Sequence, residues 1–174
     1  KFQCGKRHHR VYATDRQTGG PAVWFFGTTL GSPVVTIPRV LWRLPWHEAR
    51  YRVDCRYNPA RRAYDRFAYD VASPWCAGRV RLQDTGQPLD VQDGFASLDG
   101  LRLILAHPVA DYFRRLDGTL GSYSIWHGAM TMTLGRPEQL YFSLYERLGL
   151  LSRAEMQRPH SIFVCPRIAF EIHL

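Results

Sequence analysis

Lysine is nearly missing from this sequence, although the sequence is strongly basic. Of the 23 basic residues only Lys1 and Lys6 are lysines and the rest are arginines, and the net charge is +8. A guanidinium stays protonated, whereas a buried lysine amine can lose its proton and form an imine with a carbonyl. Apart from the first residue, Lys6 is therefore the one lysine that could form an imine. Lys6 lies near the chain start, where segments are ordered only when tied down, so we expect it not to serve.

Long apolar runs are also absent. No run approaches the ~20 residues that cross a bilayer, and the start, KFQCGKRHHR, lacks the apolar stretch of a signal peptide. These absences predict a soluble, cytoplasmic protein without a membrane partner. At 174 residues and 45% apolar content, the chain suits one packed core, so we predict a single domain over 1–174. Because no Met begins it, we expect N-terminal residues of the domain to be missing.

Metal and nucleotide motifs are missing as well. No CxxC pair, HxH or HExxH motif appears, and no histidine stands at ligand spacing beside any of the four cysteines, Cys4, Cys55, Cys76 and Cys165. The chain also lacks the GxSxG, GxGxxG and Walker patterns. We therefore predict no metal, no cofactor, no Ser-His-Asp triad, and reduced, mostly buried thiols.

The arginines are scattered along the chain, apart from the pairs Arg61/Arg62 and Arg114/Arg115 and a basic start. Nucleic-acid binding proteins usually concentrate such charge and carry a recognition motif, and none is found here. We predict no nucleic-acid partner. Scattered guanidinium groups better suit small molecules that carry carboxylates or phosphates.

Alternating apolar and polar side chains predict strands at 7–14 and 22–29, joined by a polar, glycine-bearing turn as a hairpin. Ser32-Pro33 is typical of a helix start, which predicts a short helix at 34–43, strained by Pro38. This helix should end before Pro45, because the residue preceding a proline disfavours helical geometry.

In the rest of the sequence, apolar and polar side chains also alternate mainly as they do in strands. The segment 84–100 is rich in Asp, Gly, Gln and Pro, which predicts a surface connection, and 101–106 and 146–151 are the helical candidates. Further strands are predicted at 49–57, 64–71, 78–83, 122–134, 138–145, 161–165 and 169–173. The pattern predicts an α+β fold, mainly antiparallel β, with a closed or nearly closed sheet and a few short helices.

Several ordered segments carry a family resemblance. AVWFFGTTLGSPVVTIPRVLWRLPWHEARYRV, RRLDGTLGSYSIWHGAMTMTLG, ERLGLL and RPHSIFV, together with Arg10-Val11-Tyr12-Ala13, are the segments concerned. They resemble the acetoacetate-decarboxylase-like superfamily, in its branch of uncharacterised conserved domains. The resemblance implies a cone-shaped, mainly antiparallel β-barrel with an interior ligand pocket, commonly assembled into homo-oligomers.

The resemblance also implies a departure from the parent chemistry. In the decarboxylases of that superfamily, the reactive lysine follows a proline just after the short helix, in a Pro-Lys-Lys sequence. Here Trp46 and His47 follow Pro45, so the resemblance implies no imine at this position. The family's acidic residue near the first strand has no counterpart within 6–10 either, which puts the whole parent mechanism in doubt.

Two histidines are the candidates for acid/base catalysis. An imidazole titrates near neutral pH, and His47 and His127 both fall in segments that carry the resemblance. The competing interpretation for each is a structural histidine held by a backbone hydrogen bond. His8, His9 and His173 are interpreted as ordinary strand-surface side chains.

Four residues are predicted to bind substrate. Arg10 could hold an anion with its bidentate fork, or else form a surface salt bridge. Trp46 and Trp126 could wall an apolar cavity, or else belong to the core. His160 is the fourth, with a turn position as its simpler explanation.

Two functional hypotheses remain open. The first is a lyase or isomerase-like enzyme that acts by acid/base chemistry on a carbonyl- or carboxylate-bearing organic substrate, without a lysine imine. The second is a non-catalytic protein that binds small molecules or serves as a scaffold. A fold by itself does not separate them, because one fold hosts many activities.

Overall fold

The chain consists mostly of antiparallel β-strands with a few short helices. The computed structural model describes residues 5–106, 111–127, 130–166 and 170–173, with side chains over 5–105, 111–122 and 130–166. In these ranges the strands are β1 (Lys6–Thr14), β2 (Pro21–Leu30), β3 (Trp46–Glu48), β4 (Arg50–Asn58), β5 (Ala63–Ala72), β6 (Gly78–Pro88), β7 (Asp111–Arg114), β8 (Leu120–His127), β9 (Thr133–Phe142), β10 (Phe163–Val164) and β11 (Phe170–His173). The helices are α1 (Thr36–Leu41), α2 (Leu98–Ala106), α3 (Ser143–Arg147) and α4 (Arg153–Met156). The α+β, mainly antiparallel fold class is confirmed.

The chain divides into two compact units. The first comprises Lys1–Glu48, Val91–Gly128 and Ala169–Leu174, and the second comprises Ala49–Asp90 and Ala129–Ile168. Each unit contains one sheet. The prediction of a single domain stays a prediction.

The sheet of the first unit has the strand order β1-β2-β7-β8-β11, and β3 also pairs with β2. The predicted hairpin of β1 and β2 is confirmed. Its turn closes through the Asp15 amide, which donates to the Gly20 carbonyl at 2.9 Å, and Gly19 adopts a φ of 69° that favours glycine. Two pairings are parallel, β2 with β3 and β2 with β7, and these depart from the antiparallel expectation.

A register shift in the hairpin decides which side chains share a face. His9 lies opposite Gly27 and Arg10 lies opposite Phe25, so Phe26 has no partner on β1. This extra residue is a β-bulge, and it changes the alternation of β2 relative to β1. His8 and Arg10 alternate on β1 and share the face of Phe25, and the bulge places Thr28, the partner of His8, on that same face.

The core of the first unit packs on that same face. Val23, Phe25, Leu44 and Phe113 are each 1–2% exposed, and the half-buried Trp46 packs against them. Phe25 and Phe113 are aligned because β2 and β7 run parallel in that register. An apolar floor therefore lies beside the polar side chains of β1.

The predicted helix at 34–43 is shorter in the structure. Ser32 accepts a hydrogen bond from the Val34 amide at 3.3 Å and caps a 3-10 turn, Pro33–Val35, before α1 begins. Pro38 is tolerated because it lies in the first turn of α1, where a missing amide costs little. Arg43 follows the helix with a φ of 54°, and this left-handed residue ends the helical segment.

The sheet of the second unit has the order β10-β9-β6-β5-β4. The structure extends β6 to Pro88 and begins α2 at Leu98, so the prediction of a connection over 84–100 was wrong at both ends. Asp84 explains the first error. Its buried carboxylate accepts hydrogen bonds from the Tyr64 amide, the Gly86 amide and the Thr133 hydroxyl at 2.7–3.0 Å. These bonds hold a polar segment within the sheet.

Other differences concern short elements. The sequence did not predict β7 or α4, and α3 begins at Ser143, earlier than expected. The start of α4 is a capping box in which Ser152 and Glu155 bond each other's backbone amides. Of the described cysteines, Cys76 is buried and Cys55 and Cys165 are half-buried, all as free thiols. Within the described ranges no helix combines the length and apolar character needed to cross a membrane.

We expect Gly121→Ala to destabilise the first unit. A Cβ at position 121 would lie 2.5 Å from the Phe113 Cζ atom and 3.0 Å from the Arg115 Nε atom. Such overpacking costs about 1–3 kcal/mol. Urea unfolding should show this loss, whereas Gly20→Ala, whose Cβ would lie 3.4 Å from the Thr18 hydroxyl, should change stability by less than about 0.5 kcal/mol. Equal stability of the two variants would contradict the close packing at Phe113.

Candidate functional site

A row of basic side chains runs along one face of β1. Lys6, His8 and Arg10 alternate along the strand and therefore point to the same side of the sheet. The Lys6 ammonium lies 4.7 Å from the centre of the Trp46 ring, and the Arg10 guanidinium lies 6.0 Å from that of Phe25. We call this surface the β1 face, defined by Lys6, His8, Arg10 and Tyr12. It combines cationic groups with an aromatic floor.

The guanidinium of Arg10 is held in place by two hydrogen bonds. Its Nη2 donates to the Leu105 carbonyl at 3.0 Å and to the Tyr12 hydroxyl at 2.9 Å, and Tyr12 donates to the same carbonyl at 2.9 Å. Leu105 belongs to the last turn of α2, so these bonds also satisfy a helix-end carbonyl. Within the described residues, Nε and Nη1 of Arg10 have no hydrogen-bond partner. The side chain is oriented, with donors left for an anion.

A buried carboxylate lies on the same face. Asp111 begins β7, lies opposite Val23 in register and is 2% exposed. Neither of its carboxylate oxygens has a hydrogen-bond partner among the described residues. Burial raises the pKa of Asp111 to about 6, and the nearby charge of Arg10 acts in the opposite direction. The sequence analysis missed this residue, although a carboxylate set among apolar residues in Val109-Ala110-Asp111-Tyr112-Phe113 was a signal.

His8 and His9 are not surface residues, which corrects the interpretation from the sequence. His8 is half-buried, its Nδ1 lies 2.9 Å from the Thr28 hydroxyl, and its ring meets Phe25 edge-on at 5.4 Å. His9 is fully buried on the other face. Burial lowers the pKa of both to about 3, helped for His8 chiefly by Lys6 and for His9 by Arg7. Both imidazoles are therefore neutral near pH 7. The His173 side chain lies outside the described residues.

His47 lies on the opposite face of the sheet from Arg10. In the parallel pairing of β2 and β3, His47 lies opposite Thr29, whereas Trp46 lies opposite Thr28 and faces Lys6. Burial, then the charge of Arg39, lowers the pKa of His47 to about 4, and the Arg39 Nη1 is 3.5 Å from its Nδ1. The structure therefore brings Trp46, and not His47, to the face that carries Arg10.

The remaining predicted site residues lie elsewhere. The backbone of Trp126 and His127 belongs to β8, but their side chains lie outside the described residues. His160 is exposed in the second unit, with its Nδ1 3.3 Å from the Ser161 hydroxyl. In the described part of the chain, no three His, Cys, Asp or Glu side chains converge as metal ligands would.

A pocket of about 500 Å³ lies in the first unit, at the Tyr12 end of the β1 face. Tyr12 and Val23 line it together with neighbouring hairpin residues, and Leu103 and Ile104 of α2 complete the lining. Val23 is also the register partner of Asp111, although Asp111 does not itself line the pocket. The volume is in the range of small-ligand sites, and the lining is mainly apolar.

Acid should weaken the fold through the histidine of the β1 face. The pKa of His8 is about 3 in the folded chain against 6.5 in the unfolded one, so the unfolded chain binds an extra proton between these values. The free energy of unfolding is therefore unaffected by His8 protonation above pH 6.5, and it decreases as the pH falls toward 3. Urea unfolding measured at pH values from 6 to 4 gives the free energy of unfolding as a function of pH. In His8→Gln, the slope of this free energy against pH should be smaller by up to about 1.4 kcal/mol per pH unit.

The exposed His160 provides the control for that measurement. His160→Gln removes an imidazole that is exposed to solvent, and its unfolding is measured over the same pH range. An unchanged slope in His8→Gln would show that His8 takes up protons equally in both states.

Comparison with known proteins gives one match. A family model described as an uncharacterised conserved protein matches residues 4–169. No curated protein and no solved structure matches the chain. The match spans segments of both units, and its description carries no substrate or activity.

Proposed function

The chain belongs to the DUF2071 family, and on that premise we propose that it binds a small organic carboxylate through Arg10 on the β1 face. One observation carries the proposal: the Arg10 guanidinium is fixed by Tyr12 and Leu105 while Nε and Nη1 have no hydrogen-bond partner among the described residues. Nε and Nη1 lie on different sides of the guanidinium, so each can donate one charge-assisted hydrogen bond to a carboxylate oxygen. Holding the side chain beforehand reduces the entropy lost on binding.

The surroundings favour a ligand with an apolar or carbonyl-bearing body. Phe25 and Trp46 supply an aromatic floor, and the neutral imidazole of His8 can donate an N–H hydrogen bond to a carbonyl oxygen. The adjacent pocket at Tyr12 and Val23 has room for a metabolite-sized molecule. Trp46 keeps its predicted role as a wall of the site.

The shape of the barrel and the assembly of the chain also belong to this proposal. We propose a cone-shaped acetoacetate-decarboxylase-like barrel that forms homo-oligomers, as the ordered resemblance implies. It is supported by the location of Trp46, at the position of the superfamily's reactive lysine, on the face that carries Arg10. Roles for Trp126, His127 and His160 stay predictions. The proposal does not use His47, because its ring lies on the other face and a base with a pKa of about 4 is weak near pH 7.

Arg10→Gln should weaken carboxylate binding. Removing a charge-assisted hydrogen bond costs about 1.5–3 kcal/mol, equivalent to roughly a 10- to 100-fold rise in Kd. Pyruvate, 2-oxobutanoate, 2-oxoglutarate and 3-methyl-2-oxobutanoate serve as probes, with binding measured by ligand-observed NMR and calorimetry. Arg114→Gln removes an exposed arginine of β7 and should leave each Kd unchanged. An equal loss of affinity in Arg10→Gln and Arg114→Gln, or no binding of any probe to the parent chain, would contradict the proposal.

A second candidate function is imine chemistry at Lys6. The specific observation is the 4.7 Å distance between the Lys6 ammonium and the Trp46 ring, beside the position that the resemblance assigns to the reactive lysine. An amine there could form an imine with a keto acid only after losing its proton.

Borohydride trapping separates the two candidates. We expect no adduct of acetoacetate on Lys6 after reduction, measured by mass spectrometry of peptides, because the residues 6–10 include no carboxylate that could assist imine formation beside Lys6. Lys6→Arg keeps the charge and removes the amine, so it is the matched control. A reduced adduct that disappears in Lys6→Arg would replace the non-covalent proposal with the imine candidate.

A further inference from the structure

Two aspartates of this chain are equally buried but differ in their surroundings. Asp84 and Asp111 are each 2% exposed. Asp84, in the second unit, accepts hydrogen bonds from two amides and a hydroxyl, and this accounts for its burial. Neither oxygen of Asp111 has a hydrogen-bond partner in the part of the chain that the structure describes. A buried polar group without such partners is costly, so its retention calls for a functional explanation.

The location of Asp111 supplies that explanation. It lies opposite Val23, which lines the pocket, and it follows the same sheet face as Phe25 and Phe113. Arg10 is close enough for its charge to act on the carboxylate. A carboxylate and a cation thus lie on one face, among apolar side chains, and Val23 of that face also lines the pocket.

We propose that Asp111 is the proton-transfer group for a 2-oxo carboxylic acid held at Arg10, so that the chain catalyses proton exchange and isomerisation at the carbon next to the carbonyl. This inference rests on the proposed function, because Arg10 must hold the substrate carboxylate. It goes further by naming the substrate class and the reacting group.

The step conserves atoms and electrons. The Asp111 carboxylate takes a proton from the carbon adjacent to the carbonyl, and the C–H electron pair becomes the carbon–carbon double bond of an enolate. The carbonyl oxygen receives the negative charge, which the Arg10 guanidinium stabilises. Asp111 then returns the proton to carbon, on the same or the opposite side. No oxidant, reductant or further reactant is consumed.

The electrostatics suit this role. A general base works best with a pKa near the working pH, and burial raises the pKa of Asp111 to about 6. The apolar side chains of Val23, Phe25 and Phe113 strengthen the effect of each charge on the reacting atoms. The carbonyl of a 2-oxo acid acidifies the neighbouring C–H bond, which brings proton removal within reach of a carboxylate.

Deuterium exchange tests the inference directly. The parent chain is incubated in D2O with each of the four 2-oxo acids named above, and loss of the proton signal at the carbon next to the carbonyl is followed by NMR. We expect exchange of those acids that bind, and at least a 100-fold slower rate in Asp111→Asn. The Kd of this variant should stay within threefold, whereas Arg10→Gln should lose binding.

The pH profile of the parent chain is an independent readout. Exchange should rise with pH as Asp111 loses its proton near 6 and level off above it. Among the described side chains, the titratable or charged groups on neighbouring strands that share the face of Asp111 are Arg10 and Tyr12 of β1. The β2 neighbours Val23 and Phe25 do not titrate. On β8, the backbone of Tyr123 pairs with Asp111. A rate without a rise near pH 6 would overturn the inference.

Stability shows whether Asp111→Asn is folded. Because the folded pKa of Asp111 is raised, the folded chain binds more protons between the unfolded value of 3.8 and about 6, and stability falls as the pH rises through 6. The asparagine variant should therefore unfold at a higher urea concentration than the parent at pH 8.

Besides a pH profile without a rise near 6, three results of the exchange measurements would overturn the inference by itself. The first is exchange in Asp111→Asn within threefold of the parent rate, and the second is exchange that Lys6→Arg abolishes and Asp111→Asn retains. The third is binding of a 2-oxo acid without exchange, which leaves the proposed function intact. If none of the four acids binds or exchanges, both the proposed carboxylate binding at Arg10 and the inferred proton transfer by Asp111 are contradicted.

Discussion

The register shift between β1 and β2 is the constraint on which the candidate site depends. Arg10 lies directly opposite Phe25, and because Phe26 is an extra residue, Thr28 lies on the same face as Phe25 although the two are three residues apart. Because the side chains of a strand alternate, a shift of one residue moves a whole set of side chains to the other face. One unpaired residue therefore brings Thr28, and Trp46 opposite it on β3, to the face that carries Arg10 and Phe25.

Burial is the second determinant of this site. His8 packs against an aromatic ring and stays neutral, while the Arg10 guanidinium is held by two hydrogen bonds from its Nη2. Asp111 is held where its charged form is disfavoured. Such groups lower the stability of the folded chain, and proteins commonly accept this loss where binding or chemistry requires it.

Local patterns were sufficient where local chemistry decides structure. The hairpin of β1 and β2, the Ser32-Pro33 helix start and most strands follow from alternation and turn residues, which act over a few positions. They failed where a distant partner decides. The strand residue Asp84 looked like a loop residue because its donors, among them Thr133, come from distant parts of the chain. The short β7 had too few residues to show a period.

By itself, the sequence determined the chemical inventory: a chain almost without lysine, rich in arginine, with strand periodicity and a Trp-His pair after Pro45. Tertiary structure decided which of these groups meet. It separated His47 from Arg10 by the alternation of β3, and it added Asp111, about a hundred residues away, to the face of Arg10. The physical reason is that strand pairing and the bulge at Phe26 are set by contacts between distant segments, and residue spacing alone carries no record of them.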